Sequence, residues 1–167
     1  YELEILRKMG VEIRLNYLVG KTRTVDELFD KDGFDAIFVG SGAGLPRFLD
    51  IEGENSIGVF SANEYLTRSN LMKAYAKTNA LTPMYRSKRV AVFGAGNVAM
   101  DAARTAKRLG AEVVSIIYRR TEAEMPARRE EIAHAKEEGI EFLYLLAPKR
   151  IIPGEDGRVK EVEVIEC

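Results

Sequence analysis

The stretch Arg89-Val90-Ala91-Val92-Phe93-Gly94-Ala95-Gly96-Asn97-Val98-Ala99-Met100-Asp101 decides the fold of this chain. Apolar residues lead into a glycine pair, and a sequence compatible with a helix follows at once. This order predicts a strand, a tight turn and a helix N-terminus. The small residues have the spacing G-x-G-x-x-A, a variant of the dinucleotide-binding fingerprint. Gly94 permits the sharp turn, Gly96 lets a pyrophosphate approach the backbone, and Ala99 lets the helix lie close to the strand.

The sequence after this fingerprint predicts a βαβ unit, in which segment 112–118 is nearly continuously apolar, as in a parallel sheet. A further helix is predicted at 127–138, a third strand at 140–146 and a hairpin at 151–165. The first helix is predicted at 98–109, with a buried face made of Val98, Ala102, Thr105 and Leu109. We therefore predict an α/β fold, a three-layer Rossmann-like domain with a central, largely parallel sheet, plus a β-hairpin or meander near the C-terminus.

The sequence before the fingerprint predicts shorter elements. Residues 3–9 have helical periodicity, and Thr24 with Glu27 forms a capping box for a helix at 25–29. Segment 62–75 is compatible with a helix, and 77–88 is typical of a linker. Strands are predicted at two apolar segments, 11–15 and 36–39.

A second glycine-rich loop, Gly40–Gly44, follows the strand predicted at 36–39. Gly42 and Gly44 precede Pro46 rather than a helix, so no helix dipole is available to bind a phosphate there. The residues themselves therefore favour a flexible crossing between domains over a phosphate cradle.

The composition excludes several classes of protein. The chain has 167 residues, 46% hydrophobic and 31% charged, which is typical of a soluble globular domain. A net charge of −1 gives no basic field for nucleic acid, and no apolar run is long enough for a membrane span. The single cysteine, Cys167, excludes a Cys-ligated metal within this chain, and we assign no metal ligand and no catalytic residue. We expect a reducing, cytoplasmic setting.

Two arginines follow the second predicted strand of the βαβ unit. An NAD site usually has an acidic residue at this point, whereas this chain has Arg119 and Arg120, followed by Thr121. Guanidinium groups bind a 2′-phosphate in a bidentate manner, so the pair favours NADP(H). Glu122 and Glu124 lie close enough in sequence to neutralise part of this charge. A solvated basic turn without a ligand is the alternative interpretation.

Several segments resemble one family of flavoproteins. The segments are G-A-G-N-V-A-M-D-A-A-R at 94–104, Y-R-R-T at 118–121 and E-M-P-A at 124–127. Together they resemble the NADPH-binding domain of the glutamate synthase small subunit and of the large subunit of NADH-dependent ferredoxin:NADP oxidoreductase. Segment 34–47 is similar to the part of that family where the chain leaves the FAD domain.

The resemblance implies an enzyme in which NADPH delivers hydride to FAD and electrons pass through iron–sulfur clusters to a partner subunit. That partner would be the glutamate synthase large subunit or another electron-transfer subunit. The chain would bind NADP(H), with FAD present in the parent enzyme only. The resemblance also implies two sets of dinucleotide contacts. The pyrophosphate would contact Gly94, Ala95, Gly96, Asn97 and Val98. The 2′-phosphate would lie at Arg119, Arg120 and the adjoining Thr121, and Gly42 and Ala43 would lie near both cofactors.

The resemblance further implies a division of the chain. Residues 1–50 would be an edge portion of the FAD-domain side of the parent enzyme, and residues 51–167 the NADP(H)-binding Rossmann-like domain. Because Tyr1 begins inside a helical pattern and no FAD fingerprint is present, we expect a piece of a longer enzyme that does not hold FAD stably and is catalytically incomplete alone. Two alternatives stay open, namely a free-standing dinucleotide-binding sensor or regulatory module and a Rossmann-like domain without a ligand.

Overall fold

The computed structural model describes residues 2–42, 44–76, 78–84 and 86–167. The chain divides into two compact units, Tyr1–Gly42 and Ala43–Cys167. The predicted division at residue 50 stays a prediction, and so do the roles predicted for the two parts in a parent enzyme. Within the described ranges, none of the helices has the length and apolar character needed to cross a bilayer.

The first unit contains two short helices, α1 (Glu2–Lys8) and α2 (Val25–Asp30). The predicted capping box of α2 is confirmed, because the Glu27 amide donates to Thr24 Oγ1 at 3.2 Å and the Thr24 amide donates to Glu27 Oε2 at 3.1 Å. This exchange satisfies two amides that a helix N-terminus would otherwise leave unpaired.

The strands predicted at 11–15 and 36–39 are wrong, since neither segment pairs with another strand among the described residues. Phe38 is 95% exposed and Val39 is 77% exposed, although their pattern is typical of a buried strand. A strand exists only where a neighbour takes up its backbone N–H and C=O groups, and residues 2–42 contain only the isolated bridge between Val19 and Arg23. An apolar pattern in the sequence was therefore not enough to predict a strand in these two segments.

The second unit begins with α3 (Ala62–Leu66), which continues as a π-helical turn at Thr67–Leu71. Segment 62–75 therefore contains less regular α-helix than its composition permits. The buried Ser69 hydroxyl donates to the Tyr65 carbonyl at 2.8 Å and also contacts the Leu66 carbonyl at 3.3 Å. Such back-bonding competes with the regular backbone ladder, which explains why the α-helix ends early.

The central sheet has three parallel strands in the order β1 (Arg89–Phe93), β2 (Val113–Tyr118) and β3 (Glu141–Tyr144). Helix α4 (Asn97–Arg108) connects the first two strands, and a short 3-10 turn (Glu122–Glu124) and α5 (Arg129–Glu137) connect the last two. The predicted α/β fold with a parallel sheet is confirmed, and the strand and helix bounds lie within a few residues of those predicted.

The hydrophobic core lies on the face of the sheet formed by the even-numbered residues. Val114 and Ile116 of β2 are fully buried there, and Met100 of α4 packs into the same cluster. The predicted buried face of α4 is only partly right, because the buried residues are Ala99, Met100, Ala102, Ala103 and Ala106. Val98 is 47% exposed. Side chains as small as alanine let a helix lie close to a sheet. The small residues therefore mark the buried face of α4 better than the larger ones do.

A C-terminal hairpin of β4 (Leu146–Pro153) and β5 (Val159–Glu166) follows, as the sequence predicts. A loop from earlier in the chain binds to it, because the Ile151 amide donates to the Glu52 carbonyl at 2.8 Å and the Val159 amide donates to the Ile57 carbonyl at 2.9 Å. These bonds fix loop 49–59, which has no regular structure of its own, to the sheet-bearing unit.

An ion network joins α4 to α5. Arg104 donates to Glu131 at 2.7 Å and to Glu138 at 2.9 Å, and Arg108 donates to Glu138 at 2.6 Å. The hydrogen bond from Arg108, together with Arg104, lowers the pKa of the Glu138 carboxyl below its usual value of 4.5. The carboxyl is therefore more acidic in the folded chain than in the unfolded chain.

We expect the contribution of Glu138 to stability to be present above pH about 4.5 and to disappear as the pH falls through the folded pKa. The replacement Glu138→Gln should lower the free energy of unfolding by about 1 kcal/mol at pH 7 and by progressively less below pH about 4.5. Urea unfolding of both proteins from pH 7 to pH 3 measures this difference. Glu112→Gln, which affects an exposed pair with Lys88, is the control and should change stability little. A loss that stays constant over the pH range would contradict the expected linkage.

Candidate functional site

The fingerprint loop and the arginine pair lie at the same edge of the sheet. Strands β1 and β2 are parallel and Phe93 pairs with Ile117, so the two strands end side by side. The Gly94 amide donates to the Ile117 carbonyl at 3.1 Å, which carries the pairing into the loop. Ligands of open α/β sheets bind beyond the carboxyl ends of the strands, where both groups are found.

The loop has the geometry of an anion cradle. Gly94 has φ +110°, a conformation that side chains rarely permit, and Gly96 is the N-cap of α4. Within the described residues, the amides of Gly96, Asn97 and Val98 donate to no protein acceptor. A Cβ built on Gly96 would meet no described atom within 4 Å, so the space beside its backbone is open. Unpaired amides at a helix N-terminus and a glycine beside open space fit a pyrophosphate.

Two hydrogen bonds tie this loop to the start of α5. The Ala127 amide donates to the Ala95 carbonyl at 3.1 Å, and the Arg128 amide donates to Asn97 Oδ1 at 2.9 Å. The Asn97 side-chain oxygen is thus used to bind the protein backbone, whereas the Asn97 backbone N–H points to no described acceptor and is available to a ligand. The same bonds bring the backbone of Arg128 against the loop. The sequence placed Arg128 at a helix start but gave no sign of this contact.

Arg119 and Arg120 are both exposed at the end of β2. Arg120 makes a long ion pair with Glu124, Nη1 to Oε1 at 3.9 Å, and Arg119 makes none within the described part of the chain. Thr121 is held by Glu124, whose Oε2 accepts from the Thr121 amide and hydroxyl, both at 3.2 Å. Thr121 therefore shapes the turn that presents the two arginines, and its predicted contact with a ligand stays a prediction.

Glu122 does not pair with the arginines. Its carboxylate accepts from Lys136 Nζ at 2.5 Å and from the Tyr144 hydroxyl at 2.9 Å. The hydrogen bond from Lys136, followed by that from Tyr144, lowers the pKa of Glu122. Burial and the contact with Glu122 raise the pKa of Tyr144 to about 12. Glu122 is thus an ionised carboxylate with its own partners.

An open cleft of about 320 Å³ lies beside Arg119 at this sheet edge. One wall belongs to the strand ends, including Phe93, Gly94 and Ile117, and the other is apolar and comes from more distant segments. The apolar wall consists of Leu49, Ile51, Leu146, Ala147 and Pro148. A flat, apolar group next to a cation fits such a cleft. The sequence did not predict these wall residues, because no periodicity links loop 49–51 to the hairpin.

The second glycine loop gives a more limited result. Gly42 has φ +73° and no described atom near an added Cβ, and Ala43 lies outside the described residues. Gly44 lines a separate cleft of about 370 Å³ with the N-cap of α3, Ser61, and with Glu64 of α3. The predicted role of Gly42 and Ala43 near the cofactors stays a prediction. In the part of the chain that the structure describes, His, Cys, Asp and Glu residues form no group of three or more that could hold a metal ion.

Known proteins are similar in sequence to this chain over most of its length. The putative glutamate synthase [NADPH] small chain of Cereibacter sphaeroides is 39% identical over 153 residues, which is 92% of this chain and 37% of that protein. The glutamate synthase [NADPH] small chain of Escherichia coli K12 is 35% identical over 165 residues, 97% of this chain and 34% of that protein. The chain thus spans about a third of the length of these curated relatives.

Solved structures share the fold. FprA of Mycobacterium tuberculosis in complex with NADPH has a TM-score of 0.58 and 18% sequence identity, and the match covers 90% of this chain and 52% of FprA. Residues 5–167 also match the sequence profile described as pyridine nucleotide-disulphide oxidoreductase. The expected resemblance to the glutamate synthase small subunit and the Rossmann-like fold are confirmed. This chain belongs to the pyridine nucleotide-disulphide oxidoreductase family.

Proposed function

We propose that this chain is the NADP(H)-binding part of a flavin-dependent oxidoreductase similar to the glutamate synthase small subunit. One observation carries the proposal, namely that the backbone amides of Gly96, Asn97 and Val98, which donate to no acceptor among the described residues, lie at the same sheet edge as Arg119 and Arg120. The amides suit a pyrophosphate, and the guanidinium groups suit a 2′-phosphate. The curated relatives, which are named as NADPH-dependent small chains, support the same cofactor.

Each part of the site has a distinct task in this proposal. The amides at the start of α4 bind the pyrophosphate, and the arginine pair selects the 2′-phosphate. The cleft beside Arg119, with Leu49 and Pro148 in its apolar wall, accepts the adenine ring, on which a guanidinium can stack. Bound NADPH supplies a hydride from its nicotinamide, and the protein contributes placement rather than acid–base chemistry. We propose that the acceptor is the FAD of the parent enzyme.

The proposal extends to partners. Because the relatives are called small chains, they are components of larger assemblies, and this chain spans about a third of their length. A glutamate synthase large subunit, or another electron-transfer subunit, is the partner that we propose for the parent enzyme. The partner decides which substrate is finally reduced, so the site described here defines the electron donor only.

The arginine pair is tested by comparing NADPH with NADH. We expect Arg120→Ala to weaken binding of NADPH by roughly 1.5–3 kcal/mol, about ten- to 150-fold, and to leave NADH nearly unchanged. Titration calorimetry of the 167-residue chain with each nucleotide measures this difference. Lys160→Ala removes an exposed positive charge near the turn of the hairpin, at the opposite end from the cleft wall, and serves as the control. Equal affinity of the unaltered chain for NADPH and NADH would contradict the proposed selectivity, and no binding of either would contradict the proposed function.

A further inference from the structure

Two acidic residues follow the arginine pair, and their charge opposes the proposed ligand. Glu122 and Glu124 are two and four positions beyond Arg120, on an exposed 3-10 turn. A 2′-phosphate carries about two negative charges, and like charges that lie within a Debye length of about 8–10 Å repel each other. A site that binds this phosphate therefore works better if both carboxylates are neutralised or turned away.

The structure provides a separate partner for each carboxylate. Glu124 is held by the amide and hydroxyl of Thr121 and keeps only the 3.9 Å approach to Arg120. Glu122 is held by Lys136 of α5 at 2.5 Å and by Tyr144 of β3 at 2.9 Å. Both partners of Glu122 therefore belong to elements behind the turn, and they draw its carboxylate toward α5 and β3.

Lys136 is itself held in place for this contact. Its Nζ lies 5.6 Å from the centroid of the Phe142 ring, and Phe142 stacks with Tyr144 with centroids 6.0 Å apart. An ammonium over an aromatic face gains a favourable electrostatic contact. The lysine, the two rings and the carboxylate thus form one cluster of side chains, made of Glu122, Lys136, Phe142 and Tyr144.

We propose that Lys136 is a specificity-determining residue that acts through Glu122 and favours dinucleotides with a 2′-phosphate. This inference rests on the proposed function. Lys136 neutralises the Glu122 carboxylate, so that of the two carboxylates only Glu124 pairs with the arginines, through its 3.9 Å approach to Arg120. Loss of Lys136 leaves the Glu122 carboxylate ionised and held by the Tyr144 hydroxyl alone, two residues from Arg120, where its negative charge weakens the attraction of the arginine pair for the phosphate.

Adenosine 2′,5′-bisphosphate and 5′-AMP are the appropriate probes, because they differ only in the 2′-phosphate. We expect Lys136→Met, which removes the charge and keeps an unbranched aliphatic side chain, to weaken binding of the bisphosphate about fivefold and to leave 5′-AMP within twofold. The double replacement Lys136→Met and Glu122→Gln should restore the original ratio of the two affinities. Glu122→Gln alone should leave the ratio equal or higher.

The matched control is Lys88→Met, because Lys88 pairs with Glu112 at 3.1 Å at the opposite, amino-terminal end of the sheet. It removes the same charge and should leave both affinities unchanged. Circular dichroism confirms that each variant is folded. Titration calorimetry of the chain and its variants then gives the affinities.

The outcomes separate the inference from the function on which it rests. If the unaltered chain binds the two probes equally, the proposed NADP(H) selectivity fails. If it prefers the bisphosphate and Lys136→Met keeps that preference, only the role of Lys136 is overturned. If the double variant does not recover the ratio, the lysine acts by its charge alone and not through Glu122, which also overturns the inference. Recovery of the ratio in the double variant supports it.

Discussion

We expect the Gly96→Val variant to fold normally and to bind both NADPH and NADH at least about a hundredfold more weakly than the unaltered chain. Gly96 has φ −84° and ψ 173°, an extended conformation that valine adopts readily. No described atom lies within 4 Å of an added Cβ, so the folded chain has room for the side chain. The same space is where we propose that the pyrophosphate contacts the backbone, and a branched side chain would occupy it. A hundredfold loss corresponds to about 2.7 kcal/mol.

Two measurements separate folding from binding for this variant. Urea unfolding should show a loss of stability of at most about 1 kcal/mol, because valine is a poorer N-cap than glycine. Titration with NADPH and NADH should show nearly equal losses, since both nucleotides carry the pyrophosphate. Ala91→Val adds similar bulk on an exposed position of β1 and should affect neither property. Unchanged affinity of Gly96→Val for both nucleotides would place the pyrophosphate elsewhere.

Alanine in place of Gly53 is expected to cost about 2–5 kcal/mol of stability. Gly53 has φ +81°, and a Cβ there would lie 2.0 Å from the carbonyl oxygen of Ile151 and 2.8 Å from its carbonyl carbon. Both are backbone atoms of a paired strand, so neither can move without breaking the contact between Glu52 and Ile151. The cost combines the left-handed conformation with a steric clash, and the clash is the larger part.

The control for Gly53 is Gly139→Ala. Gly139 has φ +75° but no described atom within 4 Å of an added Cβ, so its replacement carries the conformational cost of about 1–2 kcal/mol alone. Urea unfolding of both variants at pH 7 gives the difference. Equal losses in the two variants would show that loop 49–59 does not bind to the hairpin as described. If Gly53→Ala loses more stability than Gly139→Ala, we expect it to bind NADPH more weakly as well. The reason is that Leu49 and Ile51, in the same loop as Gly53, line the cleft beside Arg119.

The elements that the sequence predicted well are those determined by local interactions. Strand β1, the turn at Gly94 and helix α4 are adjacent in the chain, and each has its own signal in a run of apolar residues, a glycine or a cap. The parallel sheet then brings Gly94 and Arg119 together, because consecutive parallel strands end at the same edge. The main part of the candidate site could therefore be predicted from the order of its elements.

The features that the sequence did not predict depend on distant partners. Segment 36–39 has the composition of a strand, yet Phe38 is exposed because no described strand pairs with that segment. The apolar cleft wall at Leu49 and Pro148 arises only when loop 49–59 binds to the hairpin. The pairing of Glu122 with Lys136 joins residues fourteen positions apart across a turn. Side-chain partners of this kind have no periodicity, so a pattern in the sequence cannot reveal them.

The connection from Arg119 to Arg128 is fastened along its length. The Leu145 amide donates to the Arg120 carbonyl at 3.4 Å, the Tyr118 hydroxyl donates to the Glu124 carbonyl at 3.0 Å, and the last two residues bind the loop at 95–97. The conformational entropy of this segment is therefore lost when the chain folds and not when a ligand arrives. We expect association to be fast and without a slow rearrangement, so that differences in affinity between nucleotides lie in the dissociation rates.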